Sequence, residues 1–168
     1  NLLKITKLDA GSIVLEKKPE DVAEMMNNVE LRFSYRAEQE QKKLVLFGEE
    51  DIFLSCDRDW ILEAVDNIVK NAMDHTKSGD TIEIKWRKSA SIVQIQIKDN
   101  GSGIHPEDLH HIFKRFYRSR FSKDQQGIGL GLPLAKMIIE AHNGTIEVNS
   151  ELGKGTMFTI SFLIPIKL

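Results

Sequence analysis

The chain has 168 residues, which is enough for one domain with a substantial core. Its formal net charge is −2 with 29% charged residues, so there is no general electrostatic reason for it to bind nucleic acid or an anionic membrane. A single cysteine, Cys56, excludes an internal disulfide and a cysteine-only zinc site, and no apolar run approaches the roughly 20 residues of a membrane-spanning helix.

The N-terminal third predicts a helix end, a strand and a long helix. An apolar stripe at helical spacing stops just before Gly11, a residue typical of a helix C-terminus. Its members are Leu2, Leu3, Ile5 and Leu8. Residues 13–15 predict a brief strand, and Pro19 is expected in the first turn of a helix whose apolar positions continue to Ala37. Because the chain opens within an amphipathic pattern, we interpret it as an excised piece of a longer protein.

The middle of the chain predicts short strands around one helix. Residues 43–47 and 52–56 are expected to be strands on either side of an acidic turn. Asp57 is suited to cap the following helix. Apolar residues mark its buried stripe: Ile61, Val65, Ile68 and Ala72. After a turn at 77–80, alternating apolar residues predict a hairpin of strands at 82–86 and 93–97.

The last third predicts two further helices and a second hairpin. A short helix is expected from Pro106 to about Phe113, and residues 115–126 show no periodicity, which predicts a mobile loop. Pro133 belongs to the first turn of a helix that we expect to end near Asn143-Gly144, again at a glycine stop. Residues 145–149 and 156–164 predict the hairpin. This order of elements favours an α+β fold with a mostly antiparallel sheet under a layer of helices.

Asp99 stands where a buried strand gives way to a glycine turn. It continues the inward-facing positions of the 93–97 strand and leads directly into Gly101 and Gly103. A carboxylate at such a place needs a hydrogen-bond donor, and the exocyclic amine of adenine would supply one. The alternative is an aspartate that starts a turn and caps the next helix. For an isolated motif of this kind, that alternative would be the better interpretation.

Asn67 and Asn71 are four residues apart, so they share a helix face, and Asp74 falls on the same side. Two carboxamides offer oxygens to a magnesium ion and N–H groups to phosphate oxygens. The alternative is ordinary polar helix surface, which by itself is the commoner explanation.

Gly127, Gly129 and Gly131 precede the helix that Pro133 helps to start. The free N–H groups and positive dipole end of a helix N-terminus suit a triphosphate, whereas the alternative is a flexible hinge. A Walker phosphate loop is excluded, because no Gly-Lys-Ser/Thr follows at the required spacing.

Residues 112–118 mix aromatic and cationic side chains between the two glycine clusters. Such a segment suits a cover that folds over a bound nucleotide. Single-stranded nucleic acid is the other use of this pattern, but the rest of the chain carries no basic groove, so we expect no nucleic-acid partner. His75 follows the asparagine face and is expected to point at the same pocket. No pair of the five histidines has metal-ligand spacing with a third partner, so no zinc site is expected.

Together these segments resemble the catalytic ATP-binding domain of sensor histidine kinases of two-component systems. That domain is grouped with the gyrase, heat-shock-chaperone and mismatch-repair ATPases of the Bergerat fold. The resemblance is nearly full length, and it is carried by five motifs in order: NIVKNA at 67–72 as the N box, DNGSGI at 99–104 as the first glycine box, IFKRF at 112–116 as the F box, GIGLGL at 127–132 as the second glycine box and GKGTMF at 153–158 as the last glycine motif. The resemblance implies a two-layer α/β sandwich with a flexible ATP lid over residues 105–126.

The resemblance also implies ATP and Mg²⁺ as cofactors and assigns the site residues. Asp99 would read the adenine amine, and Asn71 would hold Mg²⁺ with Asn67 as a second candidate ligand. The expected catalytic residues are Asn67, Lys70 and Asn71. Side chains expected near the phosphates are Lys70, His75 and Arg115. The remaining expected nucleotide contacts are Gly101, Gly103, Ile104, Phe116, Gly127, Gly129, Leu130, Gly131, Leu132 and Thr156.

Asn67 in the N box and Asp74, two residues after the N box, refine this interpretation. ATPases of this fold that hydrolyse ATP with their own general base carry a glutamate at the place of Asn67, and a carboxamide cannot take a proton. The resemblance therefore favours phosphoryl transfer over fast hydrolysis. Asp74 is a departure, because many sensor kinases carry a lysine there, which leaves Lys70 or the lid cations to contact the phosphates.

The implied function is donation of the γ-phosphoryl group of ATP to a histidine on a dimerisation domain. Residues 1–11 would be the C-terminal stub of that helical hairpin, and residues 12–168 the catalytic domain. None of the five histidines lies in a phosphoacceptor motif, so the chain alone is expected to be monomeric and not to phosphorylate itself. The parent would be a homodimeric, membrane-anchored sensor with this domain in the cytoplasm and a response regulator downstream. The alternatives are an anti-sigma-type serine kinase of the same fold and a catalytically silent nucleotide-binding switch.

Overall fold

The computed structural model describes residues 2–117 and 130–165. Its helices are α1 (Leu2–Asp9), α2 (Val22–Gln39), α3 (Arg58–Asp74), α4 (Pro106–Leu109) and α5 (Gly131–Ala141). Its strands are β1 (Lys18–Asp21), β2 (Lys43–Gly48), β3 (Phe53–Cys56), β4 (Thr81–Lys88), β5 (Ile92–Asp99), β6 (Gly144–Glu151) and β7 (Gly155–Leu163). No helix in these described ranges is long and apolar enough to cross a bilayer.

Five strands form one sheet in the order β2-β4-β5-β7-β6, and β1 pairs with β3 in a separate two-stranded sheet. β2 runs parallel to β4, whereas the other neighbours in the large sheet are antiparallel. Helices and sheet share one apolar core, whose largest fully buried side chains include Met25, Ile68, Ile95, Leu134 and Phe158. The predicted α+β sandwich, with a mixed and mostly antiparallel sheet on a layer of helices, is confirmed.

The helix that carries the two asparagines is positioned by its cap and its apolar stripe. The Asp57 side chain accepts a hydrogen bond from the Trp60 amide at 3.5 Å, as the sequence predicts for an N-cap. Ile61, Val65 and Ile68 on the predicted stripe are buried. α3 also packs along α5, so the start of α5 lies next to the asparagine face of α3.

The N-terminal prediction is wrong in two details. Residues 13–15 are not a strand, and Pro19 lies in β1, where it pairs with Ser55, instead of starting the helix. The helix begins at Val22 because the Asp21 side chain caps it by accepting from the Glu24 amide at 3.1 Å. A proline is tolerated in β1 because the strand has a neighbour on one side only.

Three other details refine the sequence prediction. The strands predicted at 43–47 and 52–56 lie in different sheets, and α4 ends at Leu109, with turns up to Phe116. α5 is terminated by Asn143 at φ 59°, since asparagine tolerates the left-handed conformation, whereas Gly144 is already in β6. A Cβ at Gly144 would lie 2.8 Å from the Phe162 ring, so this glycine serves close packing.

α1 is docked on the rest of the fold. Its Ile5 is fully buried, and the helix packs against α5. Lys4 forms an ion pair with Glu63 of α3 at 3.0 Å. The helix ends as predicted, with Gly11 at φ 64°.

Candidate functional site

Asp99 is the last residue of β5, and its side chain is buried as the strand alternation predicts. The residue is 4% exposed and pairs across the sheet with Ile82 and Thr156. Its Oδ1 accepts from the Gly101 amide at 2.9 Å, which is the turn contact that the alternative interpretation expects. Burial raises the pKa of Asp99, while the backbone donors of Gly101 and Thr156 and the nearby His75 act in the opposite direction.

Three glycines line this end of the sheet where backbones come too close for a side chain. A Cβ at Gly101 would lie 2.3 Å from the His75 carbonyl oxygen, and a Cβ at Gly103 would lie 2.3 Å from the carbonyl oxygen of the last residue of β6. A Cβ at Gly155 would lie 2.0 Å from the Asp99 carbonyl oxygen. These glycines therefore allow the backbone segments at this end of the sheet to pack closely, and sequence reasoning did not assign Gly155 to the site.

Ser150 is a second residue of the site that sequence reasoning missed. Its Oγ accepts from the Ile104 amide at 2.7 Å and lies 2.9 Å from the Thr156 Oγ1. The hydroxyl thus ties the first glycine box to the last glycine motif, two segments about 50 residues apart. Only the cross-strand register of Ser150 with Thr156 would have revealed it.

Asn67 lies at the contact of α3 with the start of α5. Its Oδ1 would be 3.3 Å from a Cβ at Gly131, the first residue of α5. Its Nδ2 is buried and has no hydrogen-bond partner in the part of the chain that the structure describes. Leu130 occupies the N-cap of α5 without a side-chain hydrogen bond, so no side chain from that position caps the helix end. An anionic group held here would meet both the Asn67 donor and the helix N-terminus.

Backbone hydrogen bonds connect the C-terminal end of α3 to the turn that follows Asp99. Asn71 is one turn beyond Asn67, and its carbonyl accepts from the His75 amide at 3.1 Å. The His75 carbonyl in turn accepts from the Ser102 amide at 3.2 Å. The structure therefore brings the N box and the first glycine box together.

Other predicted phosphate contacts are engaged elsewhere in this structure. Lys70 pairs with Asp74 at 2.9 Å, and Arg115 pairs with Asp9 of α1. Phe116 has φ 63° and an exposed side chain. The roles of these three residues stay predictions.

The second glycine box is described only in part. Leu130 is buried, Leu132 packs against the core and Gly131 opens α5. Gly127 and Gly129, like residues 118–126 of the predicted lid, lie outside the described residues.

Phe113 anchors the described start of the predicted lid to the sheet. Its ring meets Phe158 edge-on with centroids 6.3 Å apart, and the Lys136 Nζ lies 5.1 Å from the Phe113 centroid. A cleft of about 380 Å³ lies beside this contact, lined by residues that include His110, Lys114, Lys136 and Glu140.

The chemistry of the donors suits a magnesium nucleotide. Within residues 2–117 and 130–165, no group of three His, Cys, Asp or Glu side chains is arranged to hold a metal ion. The amide oxygens of Asn67 and Asn71 suit a cation that shares its ligands with phosphates and water. The buried Asn67 Nδ2 needs an acceptor, which a phosphate oxygen provides.

The sequence comparison agrees with this geometry. Residues 56–166, which contain all five motifs, match the model of the histidine kinase-, DNA gyrase B- and HSP90-like ATPases. The chain belongs to this ATPase family. Within the family it is similar to the sensor protein SrrB of Staphylococcus aureus, with 35% identity over 166 residues. That match covers 98% of this chain but only 28% of the relative.

Solved structures of histidine kinases share the fold of this ATPase domain. Acinetobacter baumannii AdeS is 25% identical with a TM-score of 0.80, and the match covers 96% of this chain and 74% of that one. The catalytic domain of ThkA is 25% identical with a TM-score of 0.76, covering 88% of this chain and 95% of that one. ShkA, solved in complex with AMPPNP, is 23% identical with a TM-score of 0.84, covering 95% and 34%, and shows the fold alone.

Proposed function

We propose that this domain binds Mg-ATP and donates its γ-phosphoryl group to a histidine on the dimerisation domain of a sensor histidine kinase. The observation that carries the proposal is the buried, unpartnered Asn67 Nδ2 beside the N-terminus of α5. It supports a phosphate end of the pocket, and the buried Asp99 supports an adenine end. Membership of the ATPase family and the similarity to sensor kinases support the same conclusion.

At the adenine end, the Asp99 carboxylate accepts a hydrogen bond from the exocyclic amine. Its Oδ1 is already oriented by the Gly101 amide, so the carboxylate is fixed before the base arrives. Gly101 and Gly155 let the backbone pack closely around Asp99, because a Cβ at either position would collide with the carbonyl oxygen of His75 or of Asp99. A donor from the ligand also offsets the cost of keeping this carboxylate charged while buried.

At the phosphate end, Asn67 and the N-terminus of α5 bind the anionic chain of the nucleotide. Asn71, with Asn67 as a second candidate, holds Mg²⁺, which neutralises charge on the phosphates when bound. Asn67 is a carboxamide and takes no proton, so the site orients a phosphoryl donor without activating water. In the transfer, the bond between the γ-phosphorus and its bridging oxygen breaks and a bond to an imidazole nitrogen forms. ADP leaves, and the imidazole loses its proton to solvent.

The parent protein supplies the other components. Residues 1–11 are the end of its dimerisation hairpin, residues 12–168 are the catalytic domain, and a response regulator takes the phosphoryl group from the histidine. We place this domain on the cytoplasmic side of a homodimeric, membrane-anchored sensor, as expected for a chain similar to part of a longer sensor protein.

The test supplies the dimerisation domain of the parent protein in trans with γ-labelled ATP and Mg²⁺. We expect label on that domain that is stable in alkali and lost in acid, as a phosphorus–nitrogen bond requires. The chain alone is the control and stays unlabelled, and Asn71→Ala abolishes the transfer. Efficient self-labelling, or acid-stable label on serine, would contradict the proposal and favour the serine-kinase alternative. Nucleotide binding without any transfer would favour the silent switch.

A further inference from the structure

The C-terminal end of α3 carries one carboxylate that is shared by two cations. Lys70 Nζ lies 2.9 Å from one carboxylate oxygen of Asp74, and Arg36 Nη2 of α2 lies 2.8 Å from the other. The Asp74 side chain is only 16% exposed. Loss of both partners would leave a largely buried charge without compensation.

Arg36 is held by more contacts than Lys70 and is less exposed. Arg36 also donates to Glu40 at 2.6 Å, and Glu40 is in turn bound by Lys42 at 2.7 Å. Lys42 is 5% exposed on its side chain and donates to the Met73 carbonyl at 2.6 Å, so this group is anchored at the end of α3. The Lys70 side chain, by contrast, is 53% exposed, and its pair with Asp74 has the spacing of four residues that is weak on a helix surface.

The backbone of Lys70 lies on α3 close to Asn67, which we assign to the phosphate end of the site. At 3.6 residues per turn, it projects about 60° from Asn67 around α3, with Asp74 between them at about 20°. Asn67 lies beside the first residue of α5, where a Cβ at Gly131 would be 3.3 Å from its Oδ1. The only other cationic residue of α3 is Arg58, about 18 Å away along the axis. Lys70 is therefore the cation of this helix that is suited to reach a terminal phosphate.

We propose that Asp74 is a positioning residue that holds Lys70 until ATP binds, when the Lys70 ammonium exchanges Asp74 for the γ-phosphate. This inference rests on the proposed function and deepens it. Arg36 stays on Asp74, so the carboxylate keeps a partner throughout the exchange. ADP lacks the third phosphate and leaves Lys70 on Asp74. Competition between Asp74 and the γ-phosphate thus sets how strongly the domain prefers ATP to ADP.

Asp74→Asn tests the exchange, with Mg-ATP and Mg-ADP titrated calorimetrically into the chain. Removing the competing carboxylate tightens ATP binding about two- to fivefold, the range expected for losing an i,i+4 ion pair whose lysine is about half exposed, and leaves ADP within about twofold of wild type. Lys70→Met weakens ATP several-fold and leaves ADP unchanged. In the Lys70→Met background, Asp74→Asn no longer shifts the ratio of ATP to ADP affinity.

Asp66→Asn is the matched control, because it makes the same change on the same helix at a carboxylate paired with Arg32 at 2.7 and 2.9 Å. It leaves the ATP to ADP ratio at the wild-type value. Equal effects of Asp74→Asn on both nucleotides, or none, would overturn the exchange while nucleotide binding stands. If Asp74→Asn unfolds, an unchanged ratio in Lys70→Met overturns it instead. A wild-type chain that binds neither nucleotide refutes the proposed function itself.

Discussion

His142 joins the end of α5 to the start of α3 through both nitrogens of its ring. Its Nδ1 lies 2.8 Å from the Ile138 carbonyl oxygen, and its Nε2 accepts from the Asp57 amide at 3.1 Å. These contacts require a neutral ring with its proton on Nδ1. Burial lowers the pKa of His142, and the Ile138 carbonyl opposes this less strongly. Protonation of Nε2 would break the hydrogen bond from the Asp57 amide, because both groups would then be donors.

We predict that this histidine makes the fold less stable in mild acid. Its pKa is lower in the folded chain than in the unfolded one, so the unfolded chain binds more protons as the pH falls below about 6.5. The stabilisation that neutral His142 gives the folded chain is therefore fully present above that pH. As the pH falls, the free energy of unfolding decreases by up to about 1.4 kcal/mol per pH unit through this group. Urea unfolding between pH 5 and 8 measures it.

The comparison of variants isolates this effect from the buried carboxylates. The pKa values of Asp66 and Asp99 are raised by burial, so these groups add stability as the pH falls and act in the opposite direction. Both are present in every variant and cancel in the difference. His142→Gln reduces the decrease in the free energy of unfolding between pH 8 and pH 5. His110→Gln, at an exposed position, leaves that decrease unchanged. Equal slopes for wild type and His142→Gln would contradict the prediction.

At single positions, sequence reasoning succeeded where a pattern dictates burial. Strand alternation alone placed Asp99 on the inward face, and it is buried there. Ser150 was missed because nothing local marks it, and Gly155 was recognised as part of the last glycine motif without a role of its own. Their importance comes from cross-strand register and from a close backbone approach, which exist only once β6 and β7 have paired on β5.

At the scale of elements, the packing of α1 against the rest of the fold can be tested by substitution. Ile5 is fully buried against the fold, whereas Leu3 on the same helix is 66% exposed. We predict that Ile5→Ala lowers the free energy of unfolding by about 2–4 kcal/mol, because a buried side chain leaves a cavity. Leu3→Ala, the matched control, changes it by less than about 0.5 kcal/mol. Chemical denaturation followed by circular dichroism measures both. Equal effects would mean that α1 is not docked in solution.

Elements with strong periodicity were predicted well and those fixed by distant partners were not. α2, α3 and both hairpins follow from apolar spacing and capping residues. β1 was missed because its four residues show no alternation and depend on pairing with β3. The error at Pro19 has the same origin: proline suits a helix start as well as an edge strand, and only the cap at Asp21 decides.

At the scale of the whole molecule, packing brings together motifs that are spread along the sequence. α3 lies along α5, so the N box lies beside Gly131 at the described end of the second glycine box, while the sheet brings the last glycine motif to Asp99. The order of the motifs predicted this assembly by resemblance, but spacing alone left each motif with an ordinary structural alternative. The contact of Arg115 with Asp9 had no sequence signal, because it joins segments 106 residues apart.

The most direct test of the account is calorimetric titration of Mg-ATP into the wild-type chain and into Asp99→Asn. The substitution keeps an acceptor for the Gly101 amide but replaces the carboxylate that would bind the adenine amine. We predict that wild type binds ATP and that Asp99→Asn binds it about 10- to 100-fold more weakly, the loss expected for a hydrogen bond to a charged group. Asp59→Asn, in the exposed first turn of α3, keeps wild-type affinity. Unchanged affinity in a folded Asp99→Asn would contradict the assigned pocket.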